Sequence, residues 1–519
     1  MAKTALISVY DKTGVADFAK ELSSLGIEII STSGTASLLQ KNGIKVTQVS
    51  DLTKHKEILD GRVKTLHPNI FGGILSVRGN KNHSKELQQN KIKNIDIVAV
   101  NLYPFEELMN KNAPLKEQIE NIDIGGPSLI RAAAKNYKDV IVVVDPVDYA
   151  LVIEKIKTYK QKNSPLKKAN FFDEKFNCHL AAKAFAYTAR YDSIINRFFN
   201  RLNDIKFPEI LNLTFKKSQN LRYGENPHQQ AAFYTYFTNE SCVGTAKQLH
   251  GKELSFNNIL DVDSAFELVK DFDKPAAAVI KHTNPSGVAS AEKIEDAYKK
   301  AHETDPLSAF GCIIALNRNC NIEAARLMKP LFIESVICPG FDKAALELLK
   351  TKKDIRLLET GTIRKCDECF EYKKVNGGLL YQNCSHIVIK EKGMKVVTKR
   401  KPTKDEIKDL LFAWVVNKHV KSNSVVFAKD NVTVGIGAGQ MSRVDAVKIA
   451  VEKSKGRCKD SVMSSDAFFP FRDGVDEAAK AGVTAIIQPG GSIRDKEVIE
   501  AANEHNIAMV FTGIRLFRH

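Results

Sequence analysis

Apolar and polar positions alternate in short blocks over the first fifty residues. An apolar run from Leu6 to Val9 gives way to a turn at Asp11-Lys12-Thr13-Gly14. Val15, Phe18, Ala19 and Leu22 then recur at helical spacing until Gly26. A second run, Ile27 to Ile30, meets Ser31-Thr32-Ser33-Gly34-Thr35 and a short helical stretch that Gly43 ends, and Val46 to Val49 is a third strand. This β-α-β-α-β series predicts a parallel sheet wrapped by helices. Later runs extend it. Ile95 to Val100 leads into Asn101-Leu102-Tyr103-Pro104, and Val140 to Val144 ends at Asp145-Pro146. Between them, Pro127 suits the first position of a helix through Lys135. Helical pattern returns from Leu180 to Arg190 and lapses between residues 200 and 212, around Pro208, where a domain boundary is expected.

The second part also alternates. Ala276 to Ile280 is a buried strand ending at Lys281-His282-Thr283-Asn284-Pro285-Ser286-Gly287, and Cys312 to Leu316 is another. Asn376-Gly377-Gly378 reads as a turn before Leu379-Leu380. Ser424 to Ala428, Thr433 to Ile436, Ala485 to Ile487 and Met509 to Phe511 are short strands between helices, and no short-period repeat is visible. The fold class is therefore α/β throughout.

Composition adds limits. The 519 residues allow three or four structural units at about 150 residues each. No apolar run nears the roughly 20 residues a membrane helix needs. The N-terminal segment lacks the apolar core of a signal peptide, so a cytoplasmic protein with no membrane partner is expected. Nine scattered cysteines form no framework and read as reduced thiols. The one close pair, Cys366 and Cys369, has no second half, so an exposed loop is expected there instead of zinc. Lys plus Arg exceeds Asp plus Glu by 77 to 61, a formal charge of +16, which favours anionic partners. The densest basic run, Lys399-Arg400-Lys401, precedes Thr403 and Glu406 at capping-box spacing and reads as a solvated approach to a helix. No nucleic-acid-binding signature accompanies it, so the charge points to small anionic substrates and no nucleic acid.

Ligands of open parallel sheets collect beyond the carboxyl ends of strands. In the first part, Lys12-Thr13-Gly14 and Ser31 to Thr35 both join a strand end to a helix start, where N–H groups and hydroxyls favour a phosphate, although Ser and Thr are also ordinary caps. Arg62-Val63-Lys64-Thr65-Leu66-His67-Pro68 brings cations and an imidazole into a turn-rich stretch. Asp123 is an acid–base candidate or a capping carboxylate, and Lys135 closes a helix where the dipole favours a cation. In the second part Lys281-His282 is the strongest single site: His supplies a base near neutral pH and Lys stabilises a developing oxyanion. Gly435-Ile436-Gly437-Ala438-Gly439 has the wrong spacing for a dinucleotide loop. The zinc-deaminase signature is absent.

Together these segments resemble the family of bifunctional purine biosynthesis enzymes that join AICAR formyltransferase to IMP cyclohydrolase. The resemblance runs nearly end to end. It rests on DKTG at 11–14, DGRVKTLHP at 60–68, NLYPF at 101–105 and IDIGGPSLIRAAAKN at 122–136. It continues with LRYGENPHQ at 221–229, LSFNNILD at 254–261, IKHTNPSG at 280–287 and DPLSAFG at 305–311. SNSVVFAK at 422–429, GIGAGQMSR at 435–443, SDAFFPFRDGVD at 465–476, QPGGSIRD at 488–495 and the terminal RLF complete it. The resemblance implies a methylglyoxal-synthase-like parallel-sheet domain over 1–199, the IMP cyclohydrolase. Over 200–519 it implies the AICAR formyltransferase, built of two tandem cytidine-deaminase-like α/β units without their zinc.

Its site residues follow from the matched motifs. Lys12, Thr32, Gly34 and Thr35 would hold the ribose phosphate. Arg62, Lys64, Thr65, Asn101, Tyr103, Asp123 and Lys135 would surround the formyl and carboxamide groups, with Lys64, Tyr103, Asp123 and Lys135 catalytic. In the second domain His282 would take the proton from the AICAR amine while Lys281 and Asn423 steady the formyl oxygen. Arg222, Tyr223, Asn258, Phe310, Gly311, Glu334, Phe468, Arg515 and Phe517 would bind substrate or folate. The co-substrate would be 10-formyltetrahydrofolate, with AICAR and formyl-AICAR the other small-molecule partners, no metal needed for catalysis, and a homodimer expected. Two positions depart from the family's usual loops: Tyr10 replaces the second Ser of S-x-S-D-K, and Ser33 the first Gly of S-T-G-G-T.

Overall fold

The computed structural model describes residues 3–110, 113–162, 173–366 and 369–519. Two units divide at Thr214/Phe215. The helix Glu174–Leu202 belongs wholly to the first, so that unit runs past the expected limit at 199, to the end of the stretch where the helical pattern lapses.

The first unit carries β1 (Lys3–Ser8), β2 (Ile27–Ser31), β3 (Val46–Gln48), β4 (Ile97–Val100) and β5 (Ile141–Val143) in the order β3-β2-β1-β4-β5, every pair parallel. Each strand read from the sequence is present, its ends shifted by up to three residues. The strands are short apolar runs because both faces are covered, as parallel sheets require. Leu6, Ile7, Val98 and Ile130 are fully buried in one core. The helix expected to start at Pro127 starts at Gly125, because Asp123 supplies an acceptor to its first N–H groups.

The second unit carries β6 (Lys216–Leu221), β7 (Ala231–Thr235), β8 (Lys247–His250), β9 (Ala276–Lys281), β10 (Asn284–Ser290) and β11 (Cys312–Leu316). These are followed by β12 (Ile333–Cys338), β13 (Arg356–Glu359), β14 (Phe370–Val375), β15 (Gly378–Asn383) and β16 (Lys395–Val396). The last five are β17 (Val425–Lys429), β18 (Val432–Gly437), β19 (Val462–Ser465), β20 (Ala485–Gln488) and β21 (Ala508–Phe511). Apart from the ribbons β6–β7 and β14–β15, they form one twelve-stranded sheet, β16-β21-β20-β19-β17-β18-β10-β9-β11-β12-β13-β8.

That order is two half-sheets meeting at β10 and β18. Each half is a hairpin (β9–β10, β17–β18), three parallel strands (β11–β13, β19–β21) and an antiparallel edge strand (β8, β16). Side chains alternate across the sheet with period two. Ala278 and Ile280 of β9 and Val426 and Ala428 of β17 enter one core shared by both halves, with Phe266 and Trp414 from the helices Phe256–Lys270 and Lys404–Asn417. Ala277 and Val279 face a second core, and Val425 and Phe427 a third. This is the tandem arrangement expected.

Three local readings are settled by packing. The glycines of Gly435-Ile436-Gly437 lie within β18, where a Cβ at 435 or 437 would strike the carbonyls of Ala450 and Ala446 on the helix Arg443–Ser454. They permit close strand–helix approach, not a dinucleotide loop. Thr403 and Glu406 do form a capping box, and Arg400 bonds the Glu406 carboxylate at 2.7 Å and the Thr484 carbonyl at 3.0 Å. The all-thiol expectation is corrected at one pair. The β14–β15 register carries Cys369 opposite Cys384, Cα atoms 5.5 Å apart, as a disulfide. Residues 367 and 368 of the Cys-x-x-Cys loop lie outside the described residues.

Candidate active sites

In the first unit β1 and β4 are the neighbours from which the sheet runs off to opposite edges, so the switch-point crevice lies beyond their carboxyl ends. Asn101, just past β4, ties the crevice together. Its Oδ1 accepts from the N–H of Tyr10 at 2.6 Å and of Asp11 at 2.9 Å, and its Nδ2 donates to the Asp11 carbonyl at 3.2 Å. Thr35, in the first turn of the helix Ser33–Lys41, accepts from Lys12 Nζ at 2.8 Å and from Val9 N at 3.2 Å. The Ser8 and Thr32 hydroxyls are 2.8 Å apart. Lys12, Thr32 and Thr35 thus meet at a helix amino end that also presents the first-turn N–H of Gly34, an arrangement suited to a phosphate.

A second group lies alongside. Burial lowers the Lys12 ammonium below its usual range, and the charge of Lys64 acts in the same direction. Burial holds the Asp123 carboxyl above its usual range, opposed by the Gly126 N–H, which donates to it at 2.8 Å, and by Lys64. The hydroxyls of Tyr187 and Tyr191 accept from Leu102 N at 3.0 Å and Asp123 N at 2.7 Å, fixing the backbone on both sides of the site. Tyr103 packs its ring 4.9 Å from Tyr10, and Thr65 is buried against the start of the Gly125–Lys135 helix. Ser33 donates to the Glu57 carboxylate.

Two expected members stand apart. Arg62 is ion-paired with Glu120 on an exposed face. Lys135 ends a helix whose other end adjoins Asp123, about 15 Å away along the axis at 1.5 Å per residue. It lines an apolar groove of about 690 Å³ with Phe71, Leu75, Arg131 and Phe185. Within one chain the helix length keeps it from Asp123.

In the second unit β9 and β10 pair with Asn284 opposite Lys281, which leaves His282 and Thr283 as a two-residue turn. Both have positive φ, 53° and 62°, as a type I′ turn demands. His tolerates that conformation better than most L-residues, whereas the β-branched Thr283 resists it. Asp261, on the helix Phe256–Lys270, holds the turn by accepting from Thr283 N at 2.6 Å and His282 N at 3.3 Å. His282 is therefore raised out of the strand at the tip of the turn instead of alternating with Lys281 across it. Lys281 Nζ donates to the Phe310 carbonyl at 2.8 Å. Both line a cleft of about 210 Å³ with Asn284, Ser286, Asp305 and Lys453.

Asn284 links this turn to the other half. Its Oδ1 accepts from Lys421 N at 3.0 Å, two residues before Asn423. Asn423 donates to the Gln440 carbonyl at 2.9 Å and accepts from Arg443 Nη2 at 2.8 Å. Arg443 is buried and paired with the fully buried Asp466. The C-terminal segment closes over this group: Leu516 N donates to the Asp466 carbonyl at 2.8 Å and Arg518 N to Ser422 Oγ at 3.0 Å. Arg515 lies 4.4 Å over the Phe517 ring, and Phe468 is partly exposed beyond β19. Phe310, exposed and 5.1 Å from Phe332, precedes Gly311 at φ 70°.

The remaining expected residues have structural partners. Asn258 is buried and completes a capping box with Ser255. Glu334 pairs with Arg356 at 2.6 Å. Arg222 stacks over the Tyr223 ring at 4.7 Å and bonds its hydroxyl at 2.9 Å. Sequence reasoning missed Asp261, Arg443 and Asp466 as functional positions. Each lies inside a motif carrying the resemblance, but only the folded partners reveal that they hold His282, Thr283 and Asn423.

A family model described as AICARFT/IMPCHase bienzyme matches residues 133–453, and one described as an MGS-like domain matches residues 14–128. The chain belongs to the AICARFT/IMPCHase bienzyme family. The MGS-like match begins at the end of the loop after β1 and runs through Asp123, and the bienzyme match contains the hairpin turns of both half-sheets. Among its relatives, a protein of Caldicellulosiruptor saccharolyticus named bifunctional purine biosynthesis protein PurH is 53% identical over 524 residues, covering 100% of both chains. One of the same name from Thermoanaerobacter sp. is 52% identical over 520 residues, again covering 100% of both. A solved structure, the crystal structure of ForH, is 31% identical, covers 38% of this chain and 100% of its own, and gives a TM-score of 0.33.

Proposed function

We propose that this chain transfers a formyl group from 10-formyltetrahydrofolate to AICAR in its second unit and closes formyl-AICAR to inosine monophosphate in its first. The observation that carries the reading is the His282 turn, set by Asp261 at positive φ beside Lys281 in a cleft. His282 accepts the proton as the AICAR amine attacks the formyl carbon. Lys281 and Asn423 stabilise the oxygen that becomes negative, and tetrahydrofolate leaves as its nitrogen takes up a proton. Arg222, Tyr223, Arg515, Phe468, Phe517, Phe310 and Gly311 contact substrate or folate. Asn258 and Glu334 support the site through their own partners.

In the first unit the carboxamide nitrogen attacks the formyl carbon, and the resulting hydroxyl leaves as water. Lys12, Thr32, Gly34 and Thr35 hold the phosphate. Lys64 and Tyr103 stabilise the oxyanion, and the raised Asp123 carboxyl exchanges protons with the leaving oxygen. Arg62, Thr65 and Asn101 frame the ring. Lys135 acts only if a second chain brings it to the site, which agrees with a homodimer. The enzyme works in the cytoplasm; among the described residues no helix is long and apolar enough to cross a membrane.

The test supplies AICAR and 10-formyltetrahydrofolate and follows tetrahydrofolate and inosine monophosphate together. Equal appearance of both is expected. Tetrahydrofolate with accumulating formyl-AICAR would remove the first-unit assignment, and neither product would overturn both.

A further inference from the structure

The β14–β15 ribbon has no obvious means of standing. Its twelve strand residues are almost all exposed, and a two-stranded hairpin is marginal in water without a core or a cross-link. Its main internal packing is the Phe370–Tyr381 stack at 4.7 Å. The ribbon is nonetheless placed where order matters, since Lys373 Nζ donates to the His519 carbonyl at 2.6 Å and Tyr372 packs 5.8 Å from Phe215.

Four potential ligands cluster in sequence at its open end. Phe370 pairs with Asn383, so the next cross-strand pair is Cys369 and Cys384, joined by a 2.9 Å backbone hydrogen bond from Cys384 N to the Cys369 carbonyl. His386 Nε2 is 3.4 Å from Cys369 Sγ. A sulfur and an imidazole nitrogen bound to one tetrahedral zinc, at about 2.3 and 2.0 Å, lie about 3.5 Å apart, so this separation suits two ligands of one ion. Cys366 stands three residues before Cys369 in the Cys-x-x-Cys spacing of a zinc knuckle. The hairpin register thus supplies the second half that this motif lacks in linear sequence.

We propose that Cys366, Cys369, Cys384 and His386 form a structural site for a thiophilic divalent cation of the zinc class, available when the Cys369–Cys384 disulfide is reduced. With that bond closed, the two sulfurs are spent on each other, and no group of three or more ligating side chains among the described residues is arranged to hold a metal. A dithiol reductant opens it: two electrons and two protons pass to the cystine sulfurs, and the reductant leaves as its own disulfide. Binding then releases the protons of the three thiols to solvent, while His386 binds neutral through Nε2. Disulfide and metal are alternative closures of the same ribbon.

The full chain is reduced with dithiothreitol under argon, supplied with zinc, and passed over a weak chelating resin before its metal is measured by mass spectrometry. Stoichiometric zinc is expected in the unsubstituted protein and its loss in Cys366→Ser and His386→Ala, neither of which removes a sulfur of the disulfide. Zinc absent from the reduced parent, or retained equally by both variants, overturns the proposal. A second measurement needs no substitution: cobalt added to the reduced parent must give thiolate charge-transfer and tetrahedral ligand-field absorption, and their absence also refutes the site.

Discussion

The two halves of the twelve-stranded sheet carry the same turn with different residues in it. In the first, His282 and Thr283 stand at positive φ and Asp261 accepts both of their N–H groups. In the second, Asp430 and Asn431 occupy the β17–β18 turn at φ 53° and 56°, and Asp409 accepts from them at 2.9 and 2.7 Å. One sequence offset relates Ser255 to Thr403, Asn258 to Glu406, Asp261 to Asp409 and His282 to Asp430, so cap, clamp and turn repeat as a set. Asp, Asn and His are all enriched in the left-handed region, whereas a β-branched Thr is an outlier there. The second half therefore holds the turn as local chemistry prefers it. The first accepts strain at Thr283, and strain of this kind concentrates where a side chain must be aimed.

The sharpest way to break that contrast is to remove the two turn side chains in parallel. His282→Ala is expected to slow formyl transfer by roughly 10²–10⁴-fold, the range of a lost general base, while ring closure of supplied formyl-AICAR stays at parent level. Asp430→Ala at the counterpart position is expected to leave both reactions unchanged. If both substitutions slowed transfer alike, the halves would not differ in function. If ring closure fell with His282→Ala in folded protein, the assignment of separate sites would be wrong.

Arg443 gives the next largest effect. Its pair with Asp466 is buried, and removing one partner of such a pair costs about 3–5 kcal/mol because the other charge is left unpaired. Arg443→Met should lower the unfolding free energy, read from urea titration, by that amount. Arg443→Met with Asp466→Leu should recover most of the stability but not formyl transfer, since Asn423 has lost the donor that orients it. Recovery of transfer in the double variant would reduce Arg443 to a purely structural residue.

The clamps themselves come third. Asp261→Ala and Asp409→Ala each remove two hydrogen bonds to a carboxylate, so each should lose at least the contribution of one such bond, about 1.5–3 kcal/mol of unfolding free energy. Only Asp261→Ala should also depress kcat, because only its turn carries His282. Equal kcat in the two variants would mean that His282 does not depend on the clamp.

Strands were legible because burial on both faces leaves an unbroken apolar run. Cys312 to Leu316 is bounded as read, and the others differ at their ends by one to three residues. The turn was not. Thr283 runs against the preference for the left-handed region, and the residue that overrides it lies far back in the chain, on a helix. The duplication was implied by the resemblance but not visible as a repeat of residues, because the halves share caps, clamps and topology but few other side chains. Gly435 and Gly437 looked like a loop because what they admit, the helix carbonyls of Ala450 and Ala446, is absent from local sequence. In the first unit Lys12, Thr32 and Thr35 were legible as neighbours at strand-to-helix junctions, and the structure brings them together. The distance of Lys135 from Asp123 followed only once the helix was seen to run uninterrupted between them.

The smallest effect concerns one position that the offset makes equivalent and the sequence makes unlike. Asp271 follows the first half's helix and His419 the second's, and they bond each other, His419 Nε2 to Asp271 Oδ2 at 2.8 Å, with Lys418 Nζ at 2.9 Å on the same oxygen. Burial alone would raise the Asp271 carboxyl, but His419 and Lys418 hold it well below its usual range. Burial lowers the His419 imidazole, and the Asp271 contact only partly opposes this, so the ring is neutral in the fold, donating from Nε2 while Nδ1 faces Arg518 at 3.3 Å. Both shifts act in one direction. Below the ordinary histidine pKa of 6.5 the unfolded chain takes up a proton that folded His419 resists, and at lower pH it takes up another that Asp271 resists. Stability should therefore be full above pH 6.5 and drain as pH falls, first through His419 and then through Asp271. In parallel urea titrations His419→Asn, which keeps a donor without a titrating ring, should lose less stability than the parent between about pH 7 and 5.5. Identical slopes over that interval would show that the two halves are joined at this point by packing, with no share of the proton balance.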